Sequence, residues 1–60
     1  MAFQINEWAC VVFTIGENVL MESGIVVNIG STFIKMDCEN VRGPNTLRQI
    51  DLSTIDERIA

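Results

Sequence analysis

The sequence contains 60 residues, enough for one small domain and too few for a two-domain enzyme, a doubly wound nucleotide-binding fold or a long repeat array. With 48% hydrophobic and 20% charged residues, the chain has the composition of a protein that folds. The formal net charge is −4, and the 4 basic residues are spread along the chain, so binding to bulk double-stranded DNA is not expected.

Cysteine and histidine content limits how so short a chain can be stabilised. Cys10 and Cys38 allow one disulfide at most, and so few cysteines are typical of a reducing compartment. The chain has no histidine and no C-x-x-C pair, so the usual structural zinc sites lack their ligands and no cofactor is predicted. Because a domain of this length buries only about 60% of the surface of its unfolded chain, self-association is the remaining source of stability.

The N-terminal region does not resemble a targeting segment. No lysine or arginine precedes the apolar run from Trp8 to Ile15, and Glu7 lies directly before it, whereas a secretory signal carries positive charge there. The run is also far too short to span a bilayer. The sequence therefore predicts a cytoplasmic protein without a membrane partner.

Turn-forming residues divide residues 1–60 into short apolar segments. These segments cover residues 8–15, 19–29, 32–36 and 47–52, and they are rich in β-branched and aromatic residues. The pattern predicts a single, mainly β domain, either a small five-stranded barrel or a strongly bent antiparallel sheet.

The first segment is apolar on both faces. Ala9, Val11, Phe13 and Ile15 share one side, and the other side carries Trp8, Cys10 and Val12. A short helix is an alternative, but the β-branched residues and the following glycine favour a strand. Since a chain of this length cannot cover both faces from within, the second face predicts a homo-oligomer.

The second and third segments predict a hairpin with one solvent-exposed face. Ile25, Val27 and Ile29 lie on one side of the pattern, with Val26 and Asn28 on the other. Gly24 is expected to mark a bulge or bend. Gly30 is expected to have a positive φ in the turn, after which Ile34 and Met36 alternate with Lys35 and Asp37.

The C-terminal segment is open to two interpretations. Ser53 and Thr54 precede Asp56 and Glu57 at the spacing of a capping box, which predicts a short helical turn that packs on the sheet. Alternatively, residues 54–59 form a closing strand.

Two stretches resemble small five-stranded barrels of the Sm/Hfq or SH3-like kind. Residues 24–36, GIVVNIGSTFIKM, and residues 50–59, IDLSTIDERI, follow the order of glycines and apolar positions of these barrels. Sm proteins usually assemble into rings and bind RNA at loops that carry aspartate, asparagine and a basic residue. The corresponding stretch, from Asp37 to Asn40 and then Arg42 and Gly43, differs from that signature in spacing and charge, and no functional residue is carried over.

The residues needed for common catalytic sites are missing. The chain has neither histidine nor tyrosine, and it contains no nucleotide-binding or hydrolase motif. The neighbouring carboxylates Asp37 and Glu39 are interpreted as solvated strand-end residues. These acids are expected to raise the pKa of the Cys38 thiol, while Cys10 lies in an apolar strand, so neither cysteine resembles a nucleophile. We expect no enzyme activity and no catalytic residue.

One polar loop, residues 40–46, carries the candidate binding site. Arg42 is the only basic residue in a loop with a glycine, and such a loop can present a guanidinium and backbone N–H groups to an anion. An ordinary surface loop is an equally good interpretation. The candidate ligand-binding residues are Asn40, Arg42, Gly43, Asn45, Thr46, Arg48 and Trp8.

Two hypotheses for function follow. In the first, a homo-oligomeric, non-enzymatic protein holds a compact anionic ligand, such as a nucleotide or short RNA, at this loop near a subunit junction, for example to sequester it. In the second, a small acidic inhibitor or adaptor of bacterial or viral origin binds a host or partner protein through its surface and an exposed strand edge.

Overall fold

The computed structural model describes residues 2–60 of the chain. Five antiparallel strands form one sheet in the order β4-β3-β2-β1-β5. The strands are β1 (Trp8–Ile15), β2 (Asn18–Ile29), β3 (Phe33–Cys38), β4 (Leu47–Asp51) and β5 (Ile55–Arg58). The outer strands β4 and β5 do not pair with each other, so the sheet is not closed. The prediction of a mainly β fold is confirmed.

Strands β1 and β2 form a hairpin that confirms the strand interpretation of residues 8–15. Their register runs from Trp8 opposite Ile25 to Ile15 opposite Asn18. Gly16 has a φ of 62°, the positive value that a two-residue hairpin turn needs at its first position. A glycine is therefore the residue that makes this tight connection.

Strand β2 is long because it serves two neighbours. Its first part, from Asn18 to Ile25, pairs with β1, and its last part, from Gly24 to Ile29, pairs with β3. The register shifts between Val26 and Asn28. The irregularity therefore lies after Gly24, whereas it was expected at Gly24 itself. Gly24 is needed for a different reason, since a Cβ there would lie 2.0 Å from the backbone oxygen of Asp37 on β3.

The core lies on the inner face of the bent sheet. Its buried members are Ala9, Val11, Phe13, Val26, Ile34, Met36, Cys38 and Ile50. Phe3, Val41, Leu52 and Ile55 pack against them from the connecting segments and β5. Every strand therefore contributes at least one side chain to a single cluster.

The hairpin pattern assigned residues 25 and 26 of β2 to the wrong faces; beyond the register shift, Ile29 lies opposite the buried Ile34, on the predicted side. Val26 is completely buried opposite Met36, whereas Ile25, Val27 and Ile29 are each about 40% exposed. The physical reason is the pairing with β1: Gly24 lies opposite the buried Ala9, so Val26, two residues further on, shares the inner face.

The expected positive φ at Gly30 is also wrong. Within residues 2–60, the glycines with positive φ are Gly16 and Gly43. Gly30 is required instead by the ring of Phe33, because a Cβ at residue 30 would lie 2.2 Å from a ring carbon. Phe33 thus covers the hairpin turn with its side chain.

The C-terminal segment contains both the short helical turn and the strand that were predicted as alternatives. A 3₁₀ turn covers Leu52–Thr54, and β5 follows directly and pairs with β1. The cap of the turn is Asp51, whose side chain accepts a hydrogen bond from the Ser53 N–H, so Ser53 and Thr54 do not act as the predicted caps. No helix formed by residues 2–60 has the length and apolar character needed to cross a bilayer.

Arg58 ties both ends of the described chain to the sheet. Its Nη1 donates to the carbonyl oxygen of Ala2 at 2.7 Å and to Glu7 Oε1 at 3.0 Å, and its Nε donates to the carbonyl oxygen of Ala60 at 3.1 Å. The guanidinium also lies 5.0 Å from the centre of the Phe3 ring. We call this group the Arg58 cluster.

The Arg58 cluster predicts a change in stability at acid pH. The hydrogen bond from Arg58, with help from the Gln4 N–H, holds the pKa of Glu7 below its ordinary value of 4.5. A carboxyl whose pKa is lower in the folded state stabilises the fold above its unfolded pKa, and this contribution is lost as the pH falls through the folded pKa. Arg58→Met should therefore flatten the decline of Tm below pH 4.5.

The matched control for this titration is Arg42→Met, which removes a cation that takes part in no ion pair of the described residues. Tm would be measured between pH 7 and pH 2 for the parent and both variants. A profile in Arg58→Met that declines as steeply as that of the parent would remove Glu7 from the acid-sensitive groups.

Candidate functional site

The predicted binding loop connects β3 to β4, and Val41 attaches its first half to the core. The Val41 N–H donates to the Cys38 carbonyl oxygen at 3.4 Å, and the Val41 side chain packs against the core. Gly43 then takes a φ of 112° before Pro44, a value that side chains rarely tolerate. Arg42 lies between these two constraints and is exposed, so the loop presents its guanidinium to solvent.

Two other members of the predicted site are engaged by residues of the flanking strands. The Thr46 hydroxyl donates to Asp37 Oδ1 at 2.6 Å, and the Asn45 side-chain oxygen accepts the Leu47 N–H at 3.3 Å. The hydroxyl hydrogen of Thr46 is therefore used by a carboxylate. The Asn45 amide nitrogen and the exposed Asn40 side chain are the neutral groups that remain beside Arg42.

Trp8 lies beside an acid on the outer face of the sheet. Its indole Nε1 donates to Glu39 Oε2 at 3.3 Å, and the Ser23 hydroxyl donates to Glu39 Oε1 at 2.8 Å. A carboxylate at this position repels an anion, so it works against an anionic ligand next to the indole. What Trp8 offers is its ring: the residue is 45% exposed and lies opposite Ile25.

Arg48 projects from the inner face of β4, where it lies opposite Met36. Its Nε lies 3.2 Å from Glu22 Oε1, and the Glu22 side chain is largely buried while that of Arg48 is half exposed. Arg48 is therefore paired with an acid of its own chain, whereas Arg42 forms no ion pair among the described residues.

Burial determines the state of the Cys38 thiol. Desolvation is the largest influence that raises its pKa, to about 11, and the charge of Glu22 adds to it. The expected direction of the pKa shift is confirmed, but its main cause is burial in the core. Of the two acids that were expected to cause it, Asp37 makes the smallest contribution and Glu39 is not among the causes. A thiol of this pKa is protonated at neutral pH and is a poor nucleophile.

A groove on the inner side of the sheet was not predicted. It has a volume of about 390 Å³ and lies between the end of the β1–β2 hairpin and β4. Its lining residues are Phe13, Ile15, Leu20, Glu22, Leu47, Arg48, Gln49 and Ile50. The β1–β2 hairpin and β4, which is distant from it in sequence, build this groove. The only available signal was therefore the apolar face shared by Phe13 and Ile15.

Apolar side chains are exposed over much of the surface. Those that are at least 38% exposed are Ile5, Trp8, Ile15, Val19, Leu20, Met21, Ile25, Val27, Ile29, Leu47 and Ile59. Trp8 pairs with Ile25 and Val12 pairs with Met21 on the face of the β1–β2 hairpin that is turned away from the core. We call this surface, together with the exposed Val27, the outer apolar face. Exposed apolar surface of this kind is typical of an interaction site.

The described residues contain no group of three or more cysteine, aspartate or glutamate side chains that could hold a metal ion. The arrangement of the loop can bind an anion through Arg42, and the outer apolar face can bind another protein surface. No family model, no curated protein and no solved structure matches this chain.

Proposed function

We propose that this chain is a non-enzymatic, homo-oligomeric binding protein of the cytoplasm. The observation that carries the proposal is the outer apolar face, on which Trp8 is 45%, Met21 64% and Val27 38% exposed. A second copy that covers this face would add the buried surface that a small core lacks. Both cysteines are free, as is usual in a reducing compartment.

The proposed ligand is a compact anion, such as a nucleotide or short RNA, held at the loop of residues 40–46. Arg42 supports this ligand class because it is exposed and forms no ion pair among the described residues. The loop leads directly into the outer strand β4, so a ligand here would lie close to the edge of the sheet.

Self-association is tested by native mass spectrometry and sedimentation at micromolar concentration. We expect a single oligomeric species for the parent and a shift toward monomer for Ile25→Glu, which places a charge in the outer apolar face. Ser31→Glu is the matched control, since Ser31 is exposed in the turn between β2 and β3. A monodisperse parent monomer would contradict the proposal.

Ligand binding is tested by calorimetry with linear nucleotides, cyclic nucleotides and short RNA. Arg42→Ala should weaken binding by about tenfold, as expected for loss of one charged hydrogen bond of roughly 1.5 kcal/mol. Lys35→Ala, on β3, is the control and should bind like the parent. Because one cation makes the contact, affinity should fall only modestly with salt.

The outcomes of the calorimetry separate the two hypotheses for function. Equal affinity of the parent and Arg42→Ala removes Arg42 from the site. Absence of heat with every nucleotide and RNA overturns the anion proposal and leaves the protein-binding inhibitor or adaptor as the better explanation of the exposed apolar surface.

A further inference from the structure

Alternate residues of β4 direct their backbone hydrogen-bonding groups toward the free edge of the strand. The Cys38 N–H donates to the Thr46 carbonyl oxygen and the Leu52 N–H to that of Thr32, both at 2.9 Å. Bonded pairs alternate along an antiparallel ladder. The backbone groups of Arg48 and Ile50 therefore point toward β3, and those of the three odd-numbered residues of β4 point outward.

The chain itself satisfies the two ends of this edge. The Leu47 N–H donates to the Asn45 side-chain oxygen at 3.3 Å, and the Asp51 carbonyl oxygen accepts the Thr54 hydroxyl at 2.7 Å. Since β3 is the only strand neighbour of β4 within residues 2–60, four outward backbone groups remain. They are the Leu47 carbonyl oxygen, the N–H and carbonyl oxygen of Gln49, and the Asp51 N–H.

We propose that a second copy of this chain pairs with β4 along this edge, antiparallel and about a two-fold axis at Gln49. The Gln49 N–H of each copy then donates to the Gln49 carbonyl oxygen of the other. The Asp51 N–H of each copy donates to the Leu47 carbonyl oxygen of the other. All four free groups of both copies are used, and the groups already satisfied by Asn45 and Thr54 need no further partner.

The side chains of β4 are compatible with this arrangement. The two-fold axis places Leu47 opposite the partner subunit's Asp51, Arg48 opposite the partner subunit's Ile50, and Gln49 opposite its own copy. No two like charges lie directly opposite each other, which would destabilise a strand pair. The β4 edge is accessible, since Arg48 and Gln49 are exposed and the groove lies beside them.

The pairing deepens the proposed function, because it rests on self-association and identifies where one interface lies. It joins the two sheets edge to edge, and it places the loop of residues 40–46 of each copy at one end of the paired strands. It also requires an even number of subunits, since an axis through β4 relates the copies in pairs.

The edge is tested with Gln49→Pro. Proline removes the outward N–H of residue 49 without removing a hydrogen bond to β3. Two of the four bonds across the axis are lost, so the dissociation constant of the β4 contact should rise by about 10- to 30-fold. Gln49→Thr is the matched control, since it changes the side chain and keeps the N–H. Circular dichroism checks that both variants remain folded.

Disulfide formation tests the register independently of affinity. The two Gln49 Cα atoms would lie about 5.5 Å apart, within the range that a disulfide bridges. Gln49→Cys should therefore form a dimer under mild oxidation. Leu47→Cys should not, because the two residues 47 would lie about 14 Å apart on opposite sides of the axis.

The outcomes distinguish this inference from the proposed function. A parent that is monomeric at every concentration overturns both. An oligomer with an odd number of subunits overturns the β4 pairing alone, as does an oligomer that resists Gln49→Pro and gives no cross-link with Gln49→Cys.

Discussion

Replacing Val26 with aspartate is expected to unfold the protein, whereas the same change at Val27 leaves it folded. Val26 is completely buried in the core, opposite Met36, and Val27, the next residue, is 38% exposed. An aspartate at residue 26 would be an unpaired charge in the core and should cost more than about 3 kcal/mol, which is comparable to all that a core of this size supplies.

The adjacent pair makes this a controlled comparison. Val27→Asp introduces the same charge one residue away, at a position that is 38% exposed, and should change the stability of the single chain by no more than about 1 kcal/mol. Circular dichroism and thermal unfolding report both results. If Val27→Asp unfolds and Val26→Asp does not, β2 faces the opposite way from the structure.

Replacing Gly24 with alanine is expected to destabilise the protein by at least about 2 kcal/mol. The added Cβ would lie 2.0 Å from the Asp37 backbone oxygen and 2.8 Å from its carbonyl carbon. Backbone atoms of a paired strand cannot move aside as a flexible side chain can, so β2 and β3 would have to separate locally. Denaturant unfolding of the parent and the variant measures the effect.

Gly16→Ala is the control for this substitution. Nothing lies within 4 Å of a Cβ at Gly16, and only its φ of 62° opposes a side chain, so the cost should be roughly 1 kcal/mol. Equal losses at the two glycines would show that close contact with Asp37 contributes nothing beyond backbone strain.

The strands themselves were predictable because their residues are β-branched, aromatic and separated by turn formers. The face of β2 was not, because Ile25, Val26 and Val27 are all apolar, and a local pattern cannot choose between them. The choice depends on Ala9, which is buried opposite Gly24 on another strand. The information lies in the register between strands, which a single segment does not contain.

Only part of the candidate site was predictable from the sequence. The exposure of Arg42 followed from its polar, glycine-containing loop. The ion pair of Arg48 with Glu22 and the hydrogen bond of Trp8 to Glu39 did not, because each joins residues on different strands. The curvature of the sheet brings such residues together, and no spacing of residues along the chain predicts these contacts.

The Arg58 cluster has a consequence for how the chain could be reconnected. One guanidinium hydrogen-bonds the carbonyl oxygens of both Ala2 and Ala60, so these two residues are close neighbours in space. A short linker could therefore join residues 2 and 60, with new ends opened at the exposed turn after Gly16. In that permuted chain β5 would directly precede β1, and the most distant strand pair of the fold would become a local one. Fewer long loops would then have to close during folding, which favours a faster folding rate at unchanged architecture.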